Sequence, residues 1–521
     1  MGICGVKKPG SWARALVLVV AVVFGAVGAG ATWGATGYDP AADPYSMANM
    51  TAATGAQAWW NAGYTGKGID VAVIDTGVAP VAGLNGSGKV AYGPDLSLES
   101  QSSALRNYDT FGHGTFMAGL IAGKDSTLTA PYSSAPASAY RGMAPDARIV
   151  SVKVGTADGG ADVSQVIAAI DWVVQHAHDK GFNIRVINLS YGTNSLQDYG
   201  SDPLAYAAEQ AWKKGIVVIA AAGNSGFQKY QTAQGLSDPA YDPYVLAVGG
   251  FDTIGTPALW DDTLGDYSAN AASCSSGCRA PDLIAPGSHL QGLRVPNSYI
   301  DANHPEGFID SRYFRGSGTS EAAAITSGAV ALVLQKYPNL SPDQVKALFT
   351  ADAANLSSYS WKLIGAGELQ LAAMLTDTVP STSKATQWFT PSGGDGSLEA
   401  ARGTDHLSRS GVVLQGEKDI FGKPFDSTGM AVLEAAGSSW SGGVWNGSTW
   451  SGSSWSGSSW SASTWSGSSW SGSSWSSSTW SGSSWSGSTW SGSSWSGSSW
   501  SGSSWSGNTW SGGNWLGATW D

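Results

Sequence analysis

The sequence predicts an α/β protein: a mostly parallel sheet with helices on both faces, followed by a low-complexity repeat tail. Between residues 50 and 376, five short β-branched runs are continuously apolar rather than alternating, the pattern of strands covered on both faces. Helical patterns fall between those runs, and strands separated by helices imply parallel pairing. From Trp440 to Trp520 a tryptophan stands at every fifth position, marking where the packed fold gives way to the tail.

The chain opens with Lys7, Lys8 and Arg14 ahead of an apolar run from Ala15 to about Val27, then Ala29-Gly30-Ala31. That layout predicts a secretory signal peptide over residues 1–31, with Thr32 as the new N-terminus. An uncleaved anchor is the rival, but the run is broken by glycine and short of the roughly 20 apolar residues a spanning helix needs. No later stretch is apolar enough to span a bilayer. Residues 32–49 read as a short N-terminal extension.

The strand candidates are IDVAVI (69–74), RIVSVKV (148–154), RVINLS (185–190), IVVIAA (216–221) and YVLAVG (244–249). Val163, Val166, Ile167, Ile170 and Val174 follow helical spacing, and Gly181 is placed to end that helix. A second helix runs from Pro203 to Lys214 and stops at Gly215. A third opens on Ser341-Pro342-Asp343-Gln344, a capping box with proline at the first helical position. Residues 377–437 lose the pattern in polar, Gly/Pro-punctuated text and read as linker; residues 438–521 are the repeat tail.

Without Lys7, Lys8 and Arg14, 24 basic side chains face 39 acidic ones, which argues against nucleic acid and anionic membrane surfaces as partners. Cys4 leaves with the signal. Cys274 and Cys278, close together in an exported chain, read as one small disulfide loop; a zinc site would need two further ligands, and no metal site is assigned.

Three stretches carry chemistry. VAVIDTGV places Asp75 at the carboxyl end of the first strand, where ligands to such sheets bind. DTFGHGTFMAGLIAG places His113 between glycines at the start of a small-residue helix, and GSGTSEAAAITSG does the same for Ser320. Singly, each has a plain structural account as a strand-end cap, one of six histidines or a helix N-cap. Together they supply an acid, a base and a nucleophile in the order Asp, His, Ser, one of the chain orders used by serine hydrolases.

With these stretches the sequence resembles the subtilisin-like serine proteases, or subtilases, over roughly residues 50–376. The resemblance extends to AAAGNSG (220–226), IAPG (284–287) and GAGELQLAAML (365–375). It implies a subtilisin-like fold and a secreted serine endopeptidase of broad specificity, with Asp75, His113 and Ser320 as the triad. Asn224, beside Gly223, would be an oxyanion donor, and Gly159, Gly160 and Ala161 with Ser190, Tyr191 and Gly192 would form the edges flanking an extended protein or peptide substrate. No cofactor is required. Subtilases often hold structural calcium, but no ligand motif here can be matched to such a site.

The sequence departs from the family where Glu321 replaces the usual Met and Ala324 the usual Pro. Glu321 falls in a first helical turn, where the dipole favours a carboxylate by about 0.3–1 kcal/mol. There is also no room for a folded pro-domain between Ala31 and the first strand, implying unaided folding or a helper in trans. A sedolisin-type acid peptidase would put Glu where GHGT has His113. A catalytically silent scaffold that binds through its tryptophans is the rival from another class. The tail has one charge, Asp521, and only Val444 and Leu516 as larger apolar residues beside Trp. It reads either as a flexible spacer or as a row of aromatic platforms for cell-envelope or extracellular polysaccharide, or for self-association, holding the secreted enzyme at the cell surface.

Overall fold

The computed structural model describes residues 37–100, 102, 104–179, 181–226, 235–272, 278–356, 358–409, 412–450, 465–466, 469–470 and 514–515. The expected signal peptide and most of the repeat tail lie outside the described residues.

All five expected runs form strands, and the sheet gathers others around them. Its members are β1 (Asp70–Asp75), β2 (Val90–Asp95), β3 (Arg148–Lys153), β4 (Ile184–Leu189), β6 (Val217–Ala221), β7 (Leu246–Asp252), β8 (Thr263–Leu264) and β9 (Leu283–Pro286); the short β5 (Tyr191–Gly192) follows β4 outside it. The order is β2-β3-β1-β4-β6-β7-β8, with β9 on β7, and every pairing is parallel except β7 with β8. β1 lies between β3 and β4, and all six of its residues are buried, which is why its sequence shows no alternation.

The helices are α1 (Met47–Ala53), α2 (Ala56–Asn61), α3 (His113–Ala122), α4 (Val163–His176), α5 (Pro203–Lys213), α6 (Tyr299–Asn303), α7 (Thr319–Lys336) and α8 (Pro342–Ala351). α3 and α7 pack on each other and against β1; α4 and α5 pack on each other, α4 against β1 and α5 against β6. α7 is buried from Thr319 to Leu334, which explains its small-residue sequence without a polar face. At Gly328 a Cβ would collide with Met143, so glycine lets α7 close on its neighbours. The expected box at Ser341 and Gln344 caps α8, and Gly215 at φ +87° follows α5. α4 differs from expectation. It ends at His176, and Gly181, at φ +98°, lies in the turn that leads into β4.

Residues 377–437, expected as linker, pack onto the same body. After α9 (Trp361–Ile364) and α10 (Leu371–Met374) come α11 (Thr382–Ala385), α12 (Leu398–Arg402) and α13 (Ser427–Ala436); α12 contacts α4 and α13 contacts α5. The fully buried Arg402 donates through Nε to Asp162 Oδ2 at 2.6 Å, and Leu398, Ile420, Phe421 and Phe425 are buried. Polar text between these anchors hides them from a reading of composition.

The first repeats are also packed. Trp440–Ser441, Val444–Trp445 and Ser448–Thr449 form a three-stranded antiparallel meander in which Trp440 faces Trp445. Its turns, Gly442-Gly443 and Asn446-Gly447, have positive φ at both residues, the requirement of two-residue hairpins. A turn inside the period absorbs the odd residue that would flip alternate tryptophans in an extended strand. Trp440 Nε1 donates to Ala168 O at 2.7 Å, Trp445 Nε1 to Asp171 Oδ2 at 2.6 Å, and Trp450 meets Phe421 edge-on at 4.7 Å. The Trp-to-Trp register recurs between Trp465 and Trp470.

Candidate active site

Asp75, the last residue of β1, is held by its surroundings before it touches the histidine. Its Oδ1 accepts from Thr76 N at 2.7 Å, and Thr76 Oγ1 bonds Asp109 Oδ1 at 2.8 Å while accepting from Gly114 N at 2.9 Å. Asp109 also accepts from Gly112 N and Thr115 N, both at 2.7 Å, so one carboxylate ties down the first turn of α3. That turn carries His113, whose Nδ1 lies 2.9 and 3.0 Å from the two Asp75 oxygens. A Cβ at Gly114 would strike the Gly77 carbonyl and come within 3.0 Å of Asp75 Oδ1, so glycine after the histidine permits this approach.

Beneath Asp75, the buried Lys153 pairs with Glu99 at 2.9 Å and donates to Thr76 O at 2.7 Å and Tyr108 O at 2.8 Å. Sequence reasoning missed Asp109, Lys153 and Glu99. Asp109 had a signal, an acid four residues before His113 in DTFGHGT. The Lys153–Glu99 pair had none, because its members are far apart in sequence.

Ser320 is the second residue of α7 and is buried; its Oγ donates to Ser190 O at 3.3 Å, and Ser190 Oγ donates to Ser320 O at 3.2 Å. Asn188 and Ser327, bonded at 2.9 Å, brace this junction, with Asn188 Nδ2 donating to Ser190 Oγ at 3.0 Å. Asn224 Oδ1 accepts from Thr319 N at 3.0 Å and Thr319 Oγ1 at 2.9 Å, and Thr319 Oγ1 accepts from Gly223 N at 3.1 Å. The carbonyl side of the Asn224 amide is thereby committed, while among the described residues its buried Nδ2 has no hydrogen-bond partner. Buried donors left unmade are costly, and a site that awaits an oxyanion is one place they are kept.

Gly159 (φ +80°), Gly160 and Ala161 turn between β3 and α4, with Thr156 N donating to Gly160 O at 3.1 Å. Tyr191 and Gly192 form β5, and the chain's own Asn514–Trp515 pairs antiparallel with them, so this edge accepts an added strand. Cys278 is disulfide-bonded; Cys274 lies outside the described residues. Among the described residues no group of three or more His, Cys, Asp or Glu side chains could hold a metal ion, and no helix is long and apolar enough to cross a membrane.

Burial pulls the His113 imidazole down, but the charge and hydrogen bond of Asp75, with Glu321 and Asp109 behind, outweigh it and leave its pKa raised. Burial pushes Glu321 up to about 7 against the opposing pull of His113.

The family model described as the subtilase family, Peptidase_S8, matches residues 66–383. The serine protease AprX of Bacillus subtilis (strain 168) is 35% identical over 306 residues, 58% of this chain and 65% of AprX. Subtilisin DY of Bacillus licheniformis is 32% identical over 302 residues, 56% of this chain and 86% of that protein. Among solved structures, fervidolysin from Fervidobacterium pennivorans, described as a keratinolytic enzyme related to subtilisin, aligns with a TM-score of 0.48 and 24% identity, covering 64% of this chain and 46% of its own. With the strand-end aspartate, the helix-start histidine and the helix-start serine in that order, and the family match across more than half its length, this chain belongs to the subtilase family.

Proposed function

We propose that the chain is a secreted serine endopeptidase of broad specificity, working through Asp75, His113 and Ser320 with Asn224 as oxyanion donor. The observation that carries this reading is the bond of His113 Nδ1 to the Asp75 carboxylate, at 2.9 Å, set against the helix start that bears Ser320. His113 takes the proton of Ser320 Oγ as the oxygen attacks the scissile carbonyl, and Asp75 fixes the imidazole tautomer and stabilises the imidazolium. The resulting oxyanion meets Asn224 Nδ2 and the Ser320 backbone N–H at the positive end of α7. His113 returns the proton to the leaving amine, and water repeats the cycle on the acyl-enzyme.

Substrate backbone pairs with Ser190–Gly192 on one side and Gly159–Ala161 on the other. Main-chain pairing of this kind tolerates many sequences, which supports broad specificity. The repeats beyond Trp450 are read as attachment to envelope or extracellular polysaccharide at the cell surface. The test of the enzymatic reading is labelling by a fluorophosphonate, located by mass spectrometry on the Ser320 peptide, with casein hydrolysis by Ser320→Ala and His113→Ala. Both variants should fold and be inactive; either one within tenfold of the unchanged enzyme ends the assignment.

A further inference from the structure

Ser190 fixes where a strand added to β5 meets the nucleophile. Its carbonyl accepts from Ser320 Oγ at 3.3 Å, and its own Oγ donates to Ser320 O at 3.2 Å, so the start of this edge abuts the reacting hydroxyl. The edge continues through Tyr191 and Gly192, and Thr193 beyond them bridges to Asp238. The chain's own Asn514–Trp515 pairs antiparallel with β5, Asn514 opposite Gly192 and Trp515 opposite Tyr191. This second strand therefore runs from Gly192 towards Ser190, the end that holds Ser320. Continued in the same register, an antiparallel strand sets its next residue opposite Ser190. In sequence that residue is Leu516, which with Gly517 lies outside the described residues. The repeat changes at this position. Ser follows every tryptophan from Trp440 to Trp510 except Trp445, which Asn446 follows, and Asp521 follows Trp520; Leu516 is the one apolar residue in that place.

We propose, on the reading of this site as a serine peptidase centre, that the segment carrying Asn514 and Trp515 is a tethered substrate. It occupies the edge that external peptides need, and it is cut one residue beyond Trp515, at the Leu516–Gly517 bond. The pairing is main chain to main chain, the mode by which an extended peptide joins an exposed sheet edge. Because the segment belongs to the same chain, it competes at an effective concentration set by the tether and not by the amount of protein in solution. External substrate gains the edge only when this segment leaves it. In the cut, Ser320 Oγ adds to the Leu516 carbonyl while His113 takes its proton. His113 passes that proton to the Gly517 nitrogen, the C–N bond breaks, and the residues from Gly517 onward leave with a free amine. Water then hydrolyses the ester, which restores Ser320 and leaves a carboxylate on Leu516.

Two measurements test this. The first follows the purified full chain over time by intact-mass and C-terminal peptide mass spectrometry. A new C-terminus at Leu516 should form at a rate unchanged by dilution, and it should be absent in Ser320→Ala. A chain that hydrolyses added peptide yet stays intact through Asp521, or is cut only at other bonds, overturns the proposal. So does a rate that falls with dilution, which marks a cut between molecules. The second measurement needs no turnover. A fluorescein-labelled peptide of residues 511–516 is titrated into full-length Ser320→Ala and into the same variant ending at Gly513. The shortened chain should bind it at least roughly twofold more tightly, because the tethered competitor is gone. Equal affinities overturn the occupancy of the edge and the proposal with it. If the unchanged enzyme neither hydrolyses added peptide nor takes up a fluorophosphonate, the peptidase reading falls instead, and the peptide titration still decides whether Asn514–Trp515 holds the edge.

Discussion

Removing Arg402 should damage a region that composition alone assigns to a linker. Its guanidinium donates to Asp162 Oδ2 at 2.6 Å and Oδ1 at 3.3 Å, and to Gly416 O at 2.8 Å, Glu399 Oε2 at 3.1 Å and the Lys418 carbonyl. Both members of the Arg402–Asp162 pair are wholly buried. In Arg402→Ala the Asp162 carboxylate stays buried with its countercharge gone, a change that typically costs about 3–5 kcal/mol. Asp162 keeps its capping bonds from Ser164 N at 3.0 Å and Ser164 Oγ at 2.5 Å, which puts the expected loss near the lower end, about 3 kcal/mol. That is roughly two powers of ten in the folding equilibrium. The assay is urea unfolding in a Ser320→Ala background, which prevents self-digestion. Asp162→Asn combined with Arg402→Met buries no charge and should recover most of the loss. Because Asp162 closes the Gly159–Ala161 edge, Arg402→Ala with Ser320 intact should raise KM more than it lowers kcat. A loss below about 1 kcal/mol, or a double variant no better than the sum of the singles, would refute the reasoning.

Two further outcomes are expected. Asn224→Ala should lower kcat roughly 10²–10³-fold, the range found for removing such a donor from a subtilisin, with KM little changed; an unchanged kcat would remove Asn224 from the oxyanion site. The buried Glu368 and its neighbour Asp262 are both pushed up, first by burial, Glu368 to about 9 and Asp262 to about 6. Folded-state values above the unfolded ones mean the folded chain binds these protons more tightly, so their contribution is present below the unfolded values and lost as pH rises through about 6 to about 9. Glu368→Gln should therefore gain on the unchanged protein in urea midpoint between pH 5 and pH 9.5; a constant separation would argue against a proton held there.

Some of the site was legible because its members depend on local structure. Asp75 ends a strand, while His113 and Ser320 begin helices, and each position leaves a mark within a few residues: an apolar run before it, or small residues around it. The roles proposed for Asn224 and the two substrate edges came from family resemblance, since a bound amide carbonyl and a loop edge leave no such periodic mark. The supports of the proposed triad were not legible. Lys153 looks like one more strand residue and Glu99 like one more surface acid until β2, β3 and the following loops bring them to 2.9 Å.

The sequence by itself determined the parallel sheet, the strand-end and helix-start settings of Asp75, His113 and Ser320, and the five-residue tryptophan period, because periodicity and helix starts are set by near neighbours. The tertiary structure decided what the near neighbours could not. Residues 377–437 became part of the packed body because Arg402 finds a buried countercharge 240 positions away. Trp440, Trp445 and Trp450 became a core because α4 offers a carbonyl and a carboxylate to the first two and Phe421 a ring to the third. Glu321, which in a first turn looks like a simple response to the helix dipole, is wholly buried, and burial pushes it up to about 7. Burial and charge neighbours are sums over distant parts of the chain, and only the folded arrangement evaluates them.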